Sequence, residues 1–197
     1  LVVALVVGVP AAYALSRWTT RGGATITLWI LASRMAPPIA FTIPYFLAYR
    51  HLELLDTLTG LMLIYLTFNL SLVIWMMRPF YDQLPRSLEE AAWIDGATMW
   101  QGFYRIILPL SGPGLAATAI LCFLFAWNDF FDPLIYLSTR PDLQPIAVAL
   151  SSFNGIYSRR PPLIQAASLM TLIVPVILFF AAQRVFMRGV VITGVEK

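Results

Sequence analysis

Apolar residues in this chain gather into long runs that short polar segments separate. Three runs, 57–77, 106–128 and 161–183, contain no Asp, Glu, Lys or Arg. A fourth run, 22–49, is interrupted once by Arg34, and a shorter fifth run covers 1–16. A helix needs about 20 residues to cross a hydrocarbon core of about 30 Å, whereas a barrel strand needs only about 9–11 alternating residues. The pattern therefore predicts membrane-spanning helices rather than strands.

We predict an all-α fold, a polytopic helical membrane bundle that forms a single domain over residues 1–197. Its five visible spans are expected near residues 1–16, 25–49, 57–77, 113–137 and 163–184. The first run begins at Leu1 without the charged start of a signal peptide, so we expect a sixth span upstream of it in the full protein. Prolines at 37, 38, 44 and 175 lie inside apolar runs and are expected to kink the spans.

Composition supports lipid as the solvent of this chain. Hydrophobic residues make up 59% of its 197 residues and charged residues 12%, whereas a soluble domain has about 45–50% and about 25%. The net charge of +3 is carried by loop arginines and does not indicate nucleic-acid binding in so apolar a chain. The single cysteine, Cys122, excludes a disulfide within the chain and is expected to be a small packing residue.

Basic residues in the connecting loops indicate the orientation of the chain. With the five spans above, eight basic residues fall on one side of the membrane and four on the other. The first side carries Arg17, Arg21, Arg78, Arg86, Arg105, Arg184, Arg188 and Lys197, and the second carries Arg50, Arg140, Arg159 and Arg160. The positive-inside rule assigns the first side to the cytoplasm. The polar loop between the third and fourth spans is therefore predicted to be cytoplasmic.

The first half of that loop is predicted to be a short helix that ends in a turn. Pro85 blocks a helix upstream, and Ser87 with Glu90 three residues later is the pattern of a capping box. We expect the helix to start at Leu88 and to end at the turn signal Asp95-Gly96, because glycine adopts a left-handed conformation without steric cost.

The second half of the loop is predicted to be an amphipathic helix. Trp100, Phe103, Tyr104 and Ile107 follow the i, i+3, i+4, i+7 spacing of one helix face. Leu108-Pro109 is expected to end or bend this helix before the next span. The loop would then be a helix–turn–helix across the cytoplasmic face; with no partner, the same pattern would describe an amphipathic hairpin that rests on lipid headgroups.

The loop also carries a longer motif, E-A-A-x3-G-x9-I-x-L-P, that runs from Glu90 to Pro109. This segment resembles the EAA loop of ABC importer permeases, and the wider chain resembles the smaller permease of the maltose-type carbohydrate-uptake family. The supporting stretches are Leu84 to Ala92, Asp95 to Thr98, Leu108 to Ser111 with Pro113, Trp127 to Phe130, and the tail with Gly189 and Gly194-Val195. The resemblance covers essentially the whole chain and departs from the family in the missing first span and cytoplasmic N-terminus.

The resemblance implies a complex rather than a protein that acts alone. It implies a multi-pass subunit of the bacterial inner membrane that works with a second permease, a dimer of ATP-binding subunits and a periplasmic or extracellular solute-binding protein. ATP and Mg²⁺ would be bound by the ATPase, and no cofactor by this chain. The candidate coupling loop, about residues 78–112, would seat in the ATPase through Glu90, Ala91, Ala92, Asp95, Gly96, Ile106, Leu108 and Pro109.

Missing motifs agree with a transporter subunit rather than an enzyme. The only lysine is Lys197 at the terminus, so the chain contains no Walker A loop. The only histidine is His51, which excludes an H-E-x-x-H zinc site, and no G-x-S-x-G elbow is present. We therefore predict no metal site and no catalytic residue, and that a partner hydrolyses ATP.

Polar residues inside the spans are the candidates for a substrate path, since such residues usually face a bundle interior or a water-filled cavity. Purely structural roles are also compatible with such residues, because a long arginine can snorkel to the interface and Asp132-Pro133 can mark the end of a span. The candidates are Arg34, Asn69, Trp127, Asn128 and Asp129.

Two other classes of protein stay open at this point. An ion-coupled secondary transporter could use Arg34, Asp129 and Asp132 as a charge relay, and it would need no ATPase. A structural membrane anchor would leave the intramembrane polar residues without a role. The cargo of an importer is not determined by these residues: a disaccharide, an oligosaccharide and glycerol phosphate are all compatible, although no span carries the arginine cluster that a phosphate favours.

Overall fold

The computed structural model describes residues 1–18, 22–35, 37–152 and 161–193, which form helices joined by turns and contain no strand. A π-helical segment, Phe103–Ile107, and a short 3-10 helix, Pro141–Leu143, accompany the α-helices. The α-helices are α1 (Val2–Arg17), α2 (Gly23–Met35), α3 (Pro38–His51), α4 (Leu58–Gln83), α5 (Ser87–Ile94), α6 (Met99–Gly102), α7 (Leu108–Leu110), α8 (Gly112–Asn128), α9 (Phe131–Tyr136), α10 (Ile146–Ser152) and α11 (Pro161–Thr193). The predicted all-α fold is confirmed.

Two of the described helical stretches are long and apolar enough to cross a membrane by themselves. They are Leu58–Gln83, which is α4, and Ile164–Ala181 within α11. The stretch Met99–Leu110 and the following α8 provide a third if the pair, bent by 74°, counts as one span. The third and fifth predicted spans thus match single helices, while α1 is apolar but only 16 residues long. The number of spans stays a prediction.

Two predicted spans, 25–49 and 113–137, are each built from two helices. The first is divided at Pro37, which is extended (φ −63°, ψ 131°), because a following proline disfavours helical backbone and Pro38 has no amide hydrogen to donate. The second is divided after Asn128, where Asp129 is extended (φ −69°, ψ 125°). Of the expected kinks, the one at Pro37-Pro38 is a complete helix break.

The core lies where α1 packs along α4, with α8 packed against both α4 and α11. Gly8 permits the close approach of α1, since a Cβ atom there would lie 2.7 Å from Cγ1 of Val73. The buried cluster includes Tyr13, Met77, Tyr81 and further side chains of α1 and α4, with Phe103, Ile107 and Cys122. The packing role expected for Cys122 is confirmed by its complete burial.

Candidate functional site

The candidate coupling loop leaves the end of α4 through an extended Leu84 and enters α5 at Ser87. The capping box predicted between Ser87 and Glu90 is wrong. The amide of Glu90 donates to the carbonyl oxygen of Arg86 at 3.1 Å, and Arg86 already has helical backbone angles (φ −64°, ψ −26°). Because the chain turns helical one residue early, Ser87 lies inside the helix rather than at its cap.

The turn predicted at Asp95-Gly96 is confirmed and has a defined geometry. Gly96 has φ +81°, and its amide donates to the carbonyl oxygen of Trp93 at 3.0 Å. The amide of Ala97 donates to the carbonyl oxygen of Ala92 at 2.9 Å. These two bonds form a Schellman motif, which satisfies the last carbonyls of α5. A Cβ on Gly96 would meet nothing within 4 Å, so the backbone angle alone favours glycine here.

The second half of the loop begins with a cap that the sequence analysis missed. The hydroxyl of Thr98 accepts from the amide of Gln101 at 3.3 Å, and the side chain of Gln101 accepts from the amide of Thr98 at 2.8 Å. The signal was present in the sequence, since T-x-x-Q is a capping-box pattern. The helix that follows continues through Pro109, and the expected bend lies two residues further on, at Ser111.

The four aromatic and apolar residues of this second helix do not share one face. Phe103 and Ile107 are buried in the core, whereas Trp100 and Tyr104 are exposed and stack on each other at 6.0 Å. The two residues of each pair are four positions apart. The segment Phe103–Ile107 is π-helical, with a wider turn than an α-helix. The helix therefore packs into the bundle on one side and presents aromatic side chains on the other.

Some of the residues predicted to contact an ATPase are exposed, and others pack against the bundle. Glu90, Ala91, Asp95, Gly96 and Pro109 are exposed, while Ala92 is buried and Ile106 and Leu108 pack partly against the core. Exposed apolar side chains accompany the first group: Leu88, Trp93, Ile94, Met99, Trp100 and Tyr104. The loop thus has an outer surface that mixes acidic, small and apolar residues.

An ion pair that sequence reasoning missed holds the loop against α1. Nε of Arg17 lies 2.8 Å from Oε1 of Glu89, and the two side chains are 6% and 4% exposed. A second guanidinium nitrogen of Arg17 donates to the carbonyl oxygen of Leu84 at 3.1 Å. No local pattern could have found this pair, since its partners are 72 positions apart.

A cavity of about 830 Å³ is lined by residues of α2, α3, α4, α8 and α9 and of the break before α9. Three predicted substrate-path residues line it, Asn69, Asn128 and Asp129, together with Tyr65 and Asp132. The other lining residues are Ser33, Ile39, Phe68, Leu121, Leu124, Phe125, Ala126 and Phe131. The structure therefore brings polar residues of separate helices together at one cavity. The sequence had indicated only that these residues lie within spans.

Two other candidates for the substrate path stand apart. Trp127 is not among the described residues that line the cavity, and its ring stacks on Phe123 at 5.3 Å. The side chain of Arg34 lies outside the described residues.

The break between α8 and α9 forms one wall of the cavity. Oδ1 of Asp129 accepts from the amide of Phe131 at 3.1 Å, and the side-chain amide of Asn128 donates to the carbonyl oxygen of Leu124 at 2.8 Å. Oδ2 of Asp129 and the hydroxyl of Tyr65 are buried neighbours that interact electrostatically, but neither atom has a well-formed hydrogen bond among the described residues. Both residues line the cavity.

A helical membrane bundle with a cavity that contains polar side chains is compatible with a transport permease. The model of the family described as "binding-protein-dependent transport system inner membrane component" matches residues 4–192. The chain therefore belongs to this family and is an ABC transporter permease of the inner membrane, which confirms the resemblance and the localisation inferred from the sequence.

Relatives and solved structures agree with this assignment. Over 191 residues, the chain is 37% identical to the trehalose transport system permease protein SugB of Mycobacterium tuberculosis. This alignment covers 96% of this chain and 68% of SugB. Over 198 residues, it is 32% identical to the inner membrane ABC transporter permease protein YcjP of Escherichia coli. This alignment covers 99% of this chain and 69% of YcjP.

Among solved structures, the chain is similar to a bacterial ABC transporter involved in the import of the acidic polysaccharide alginate. The TM-score is 0.73 at 28% identity, over 93% of this chain and 69% of that one. The inward-facing methionine transporter MetNI has a TM-score of 0.74 over 94% of this chain and 87% of its own, but at 17% identity it supports the fold alone.

Proposed function

We propose that this protein is one of two permease subunits of an ATP-driven importer of a carbohydrate. A dimer of ATP-binding subunits, which binds ATP and Mg²⁺, would drive it from the cytoplasm, and a solute-binding protein would deliver the cargo from outside. The names of the relatives support the cargo class, since SugB is named for trehalose and the similar structure is an alginate importer.

The outer surface of the candidate coupling loop is the observation that carries this proposal. Glu90 and Ala91 of α5 and Asp95 directly after it are exposed, and Ile94 at the end of the helix is 86% exposed. Trp93, Met99 and Trp100 of the same loop are also exposed, and aromatic residues and methionine are enriched in protein interfaces. The Schellman turn at Gly96 holds this surface at a fixed angle to the second helix.

Transport would proceed by alternating access. Closure of the ATPase dimer would draw together the coupling loops of the two permeases, and their helices would then rock from an inward-open to an outward-open state around a fixed site. The cavity beside Tyr65, Asn69 and Asp129 supports a path for a hydroxylated solute. Its polar atoms can bind hydroxyl groups, while the rings of Phe68 and Phe125 can contact the apolar face of a sugar.

Glu90→Arg and Gly96→Pro in the complete transporter test the coupling role. Both variants should insert into the membrane normally but reduce co-purification of the ATPase at least about tenfold, since central interface contacts often contribute about 2 kcal/mol or more. Proline is incompatible with φ +81°, so the second variant displaces the loop surface. The matched controls are Glu53→Arg, in the exposed turn after α3, and Gly96→Asn, which tolerates a positive φ.

Retention of the ATPase by both variants would contradict the coupling role. Uptake by the wild-type transporter should also depend on ATP. Uptake that collapses with a protonophore while ATP remains would favour the ion-coupled alternative, with Arg34, Asp129 and Asp132 as its relay.

A further inference from the structure

The two neighbouring glutamates of α5 lie in opposite environments. Glu90 is exposed, whereas the side chain of Glu89 is 4% exposed and paired with Arg17 at 2.8 Å. Consecutive residues of an α-helix point about 100° apart, so one short helix can present one carboxylate to a partner and the other to the bundle. The inward carboxylate is not needed for contact with an ATPase and requires another explanation.

Arg17 joins three elements at one point. It is the last residue of α1, it pairs with Glu89 of α5, and it donates to the carbonyl oxygen of Leu84 directly after α4. Its guanidinium also lies 6.0 Å from the ring centre of Tyr13. A charge-assisted contact of this kind is directional, so it fixes the orientation of α5 relative to α1 as well as its distance.

The second arm of the loop is tied to the same place by aromatic contacts. The ring of Tyr13 lies 4.6 Å from that of Phe103 and 5.6 Å from that of Tyr81. Tyr13 belongs to α1, Tyr81 to α4 and Phe103 to the π-helical segment of the loop. Both arms of the loop therefore meet the α1–α4 pair within one turn of the α1 C-terminus, and α1 packs along the length of α4.

We infer that Arg17 and Glu89 are positioning residues for transport, the contact through which a movement of the candidate coupling loop is passed to α1 and α4. The inference rests on the proposed function and deepens it by separating two roles within α5. Glu90 and the exposed surface bind the ATPase, whereas Glu89 binds the bundle. A nearly buried ion pair suits this role because parting the two charges leaves each of them without its partner and out of water, which favours movement of the two elements together.

The test compares Glu89→Gln with Glu90→Arg in the complete transporter with its companion subunits, reconstituted in proteoliposomes. Glu89→Gln should leave ATPase co-purification within about twofold of the wild type, because the exposed surface is unchanged. Solute taken up per ATP hydrolysed should fall about fivefold or more, the lower range of coupling between distant sites. Arg17→Lys keeps the positive charge but lacks the guanidinium that donates to both Glu89 and the carbonyl oxygen of Leu84. It should give a smaller fall in the solute taken up per ATP hydrolysed.

A double variant separates coupling from folding. A single loss leaves an unpaired buried charge, whereas Arg17→Met with Glu89→Met removes both charges and is expected to fold. This variant should bind the ATPase and hydrolyse ATP, yet retain the low ratio of uptake to hydrolysis. Wild-type coupling in the double variant would overturn the inference, and so would a loss of ATPase from Glu89→Gln as large as from Glu90→Arg.

The failure of the proposed function is distinguishable in the same preparation. It would appear as uptake by the wild-type transporter that does not depend on ATP, and the inference would fail with it. If wild-type uptake depends on ATP and only the Arg17 and Glu89 variants behave as the wild type, the inference alone fails.

Discussion

At the residue scale, the polar atoms of the cavity are its most informative feature. Oδ2 of Asp129 and the hydroxyl of Tyr65 are buried without a well-formed hydrogen bond among the described residues. Such an atom costs free energy unless a ligand or water satisfies it. Both line the cavity with Asn69, which is 5% exposed. Because both residues line the cavity, we expect them to contribute to cargo affinity.

Asp129→Asn should raise the KM for uptake about tenfold or more, since a hydrogen bond to a charged group contributes about 1.5–3 kcal/mol. Tyr65→Phe should raise it by a smaller factor, because its lost bond is neutral. The concentration dependence of uptake, measured with the solute of the co-purified binding protein, checks both. Trp127→Phe is the control, since the Trp127 ring stacks on Phe123 instead of lining the described cavity. An equal rise of the KM in all three variants would contradict the assignment of Asp129 and Tyr65 to the cargo site.

Residue-scale predictions succeeded where the signal was local. The turn at Gly96 was predictable because a positive φ favours glycine, whereas the capping box was assigned to Ser87 and lies at Thr98 instead. Both positions carry a hydroxyl three residues before a Glu or Gln, and only the observed backbone at Arg86 distinguishes them. The separate environments of Glu89 and Glu90 could not be predicted, because the two side chains have the same chemistry.

At the element scale, the lengths of the apolar runs predicted where helices lie but not where they break. The helix break after Asn128 follows from an extended Asp129 whose carboxylate holds the first amide of α9. The polar pair Asn128-Asp129 ends the charge-free run at residue 128, but polarity by itself does not show that the helix stops there. The break matters because it places polar backbone and two carboxylates on the cavity wall.

The close approach of α1 and α4 leads to a prediction for Gly8. Gly8→Val should lower the thermal unfolding temperature, because an added Cβ would lie 2.7 Å from Cγ1 of Val73 and overpacking costs about 1–3 kcal/mol. Val73→Ala should restore part of the loss in the double variant. Unfolding of the purified protein in detergent, followed by fluorescence, measures both effects.

Gly112→Val is the matched control for this experiment, since a Cβ at that position would meet nothing within 4 Å. An equal loss of thermal stability in Gly8→Val and Gly112→Val would show that the cost does not arise from helix packing.

At the scale of the whole molecule, the orientation of the chain is open to direct measurement. The only cysteine, Cys122, is buried and can be replaced by alanine to give a background without accessible thiols. Asp95→Cys should then react with a membrane-impermeant maleimide only in inverted vesicles, and Arg140→Cys only in intact cells. Both positions are exposed in this chain, so in membranes stripped of the ATPase their access depends on the side of the membrane. Labelling of Asp95→Cys in intact cells would overturn the predicted cytoplasmic loop.

The amino-acid sequence alone determined the class of this protein and the site of its most specific motif. Run length, charge asymmetry and the turn at Gly96 are local properties, and each constrains the backbone wherever the segment lies. Only the tertiary structure decided that Arg17 meets Glu89 across 72 positions, and that polar side chains of α4, α8 and α9 line the same cavity. Contacts between distant segments depend on which helices pack together, and no local pattern in the chain identifies the partner of a helix.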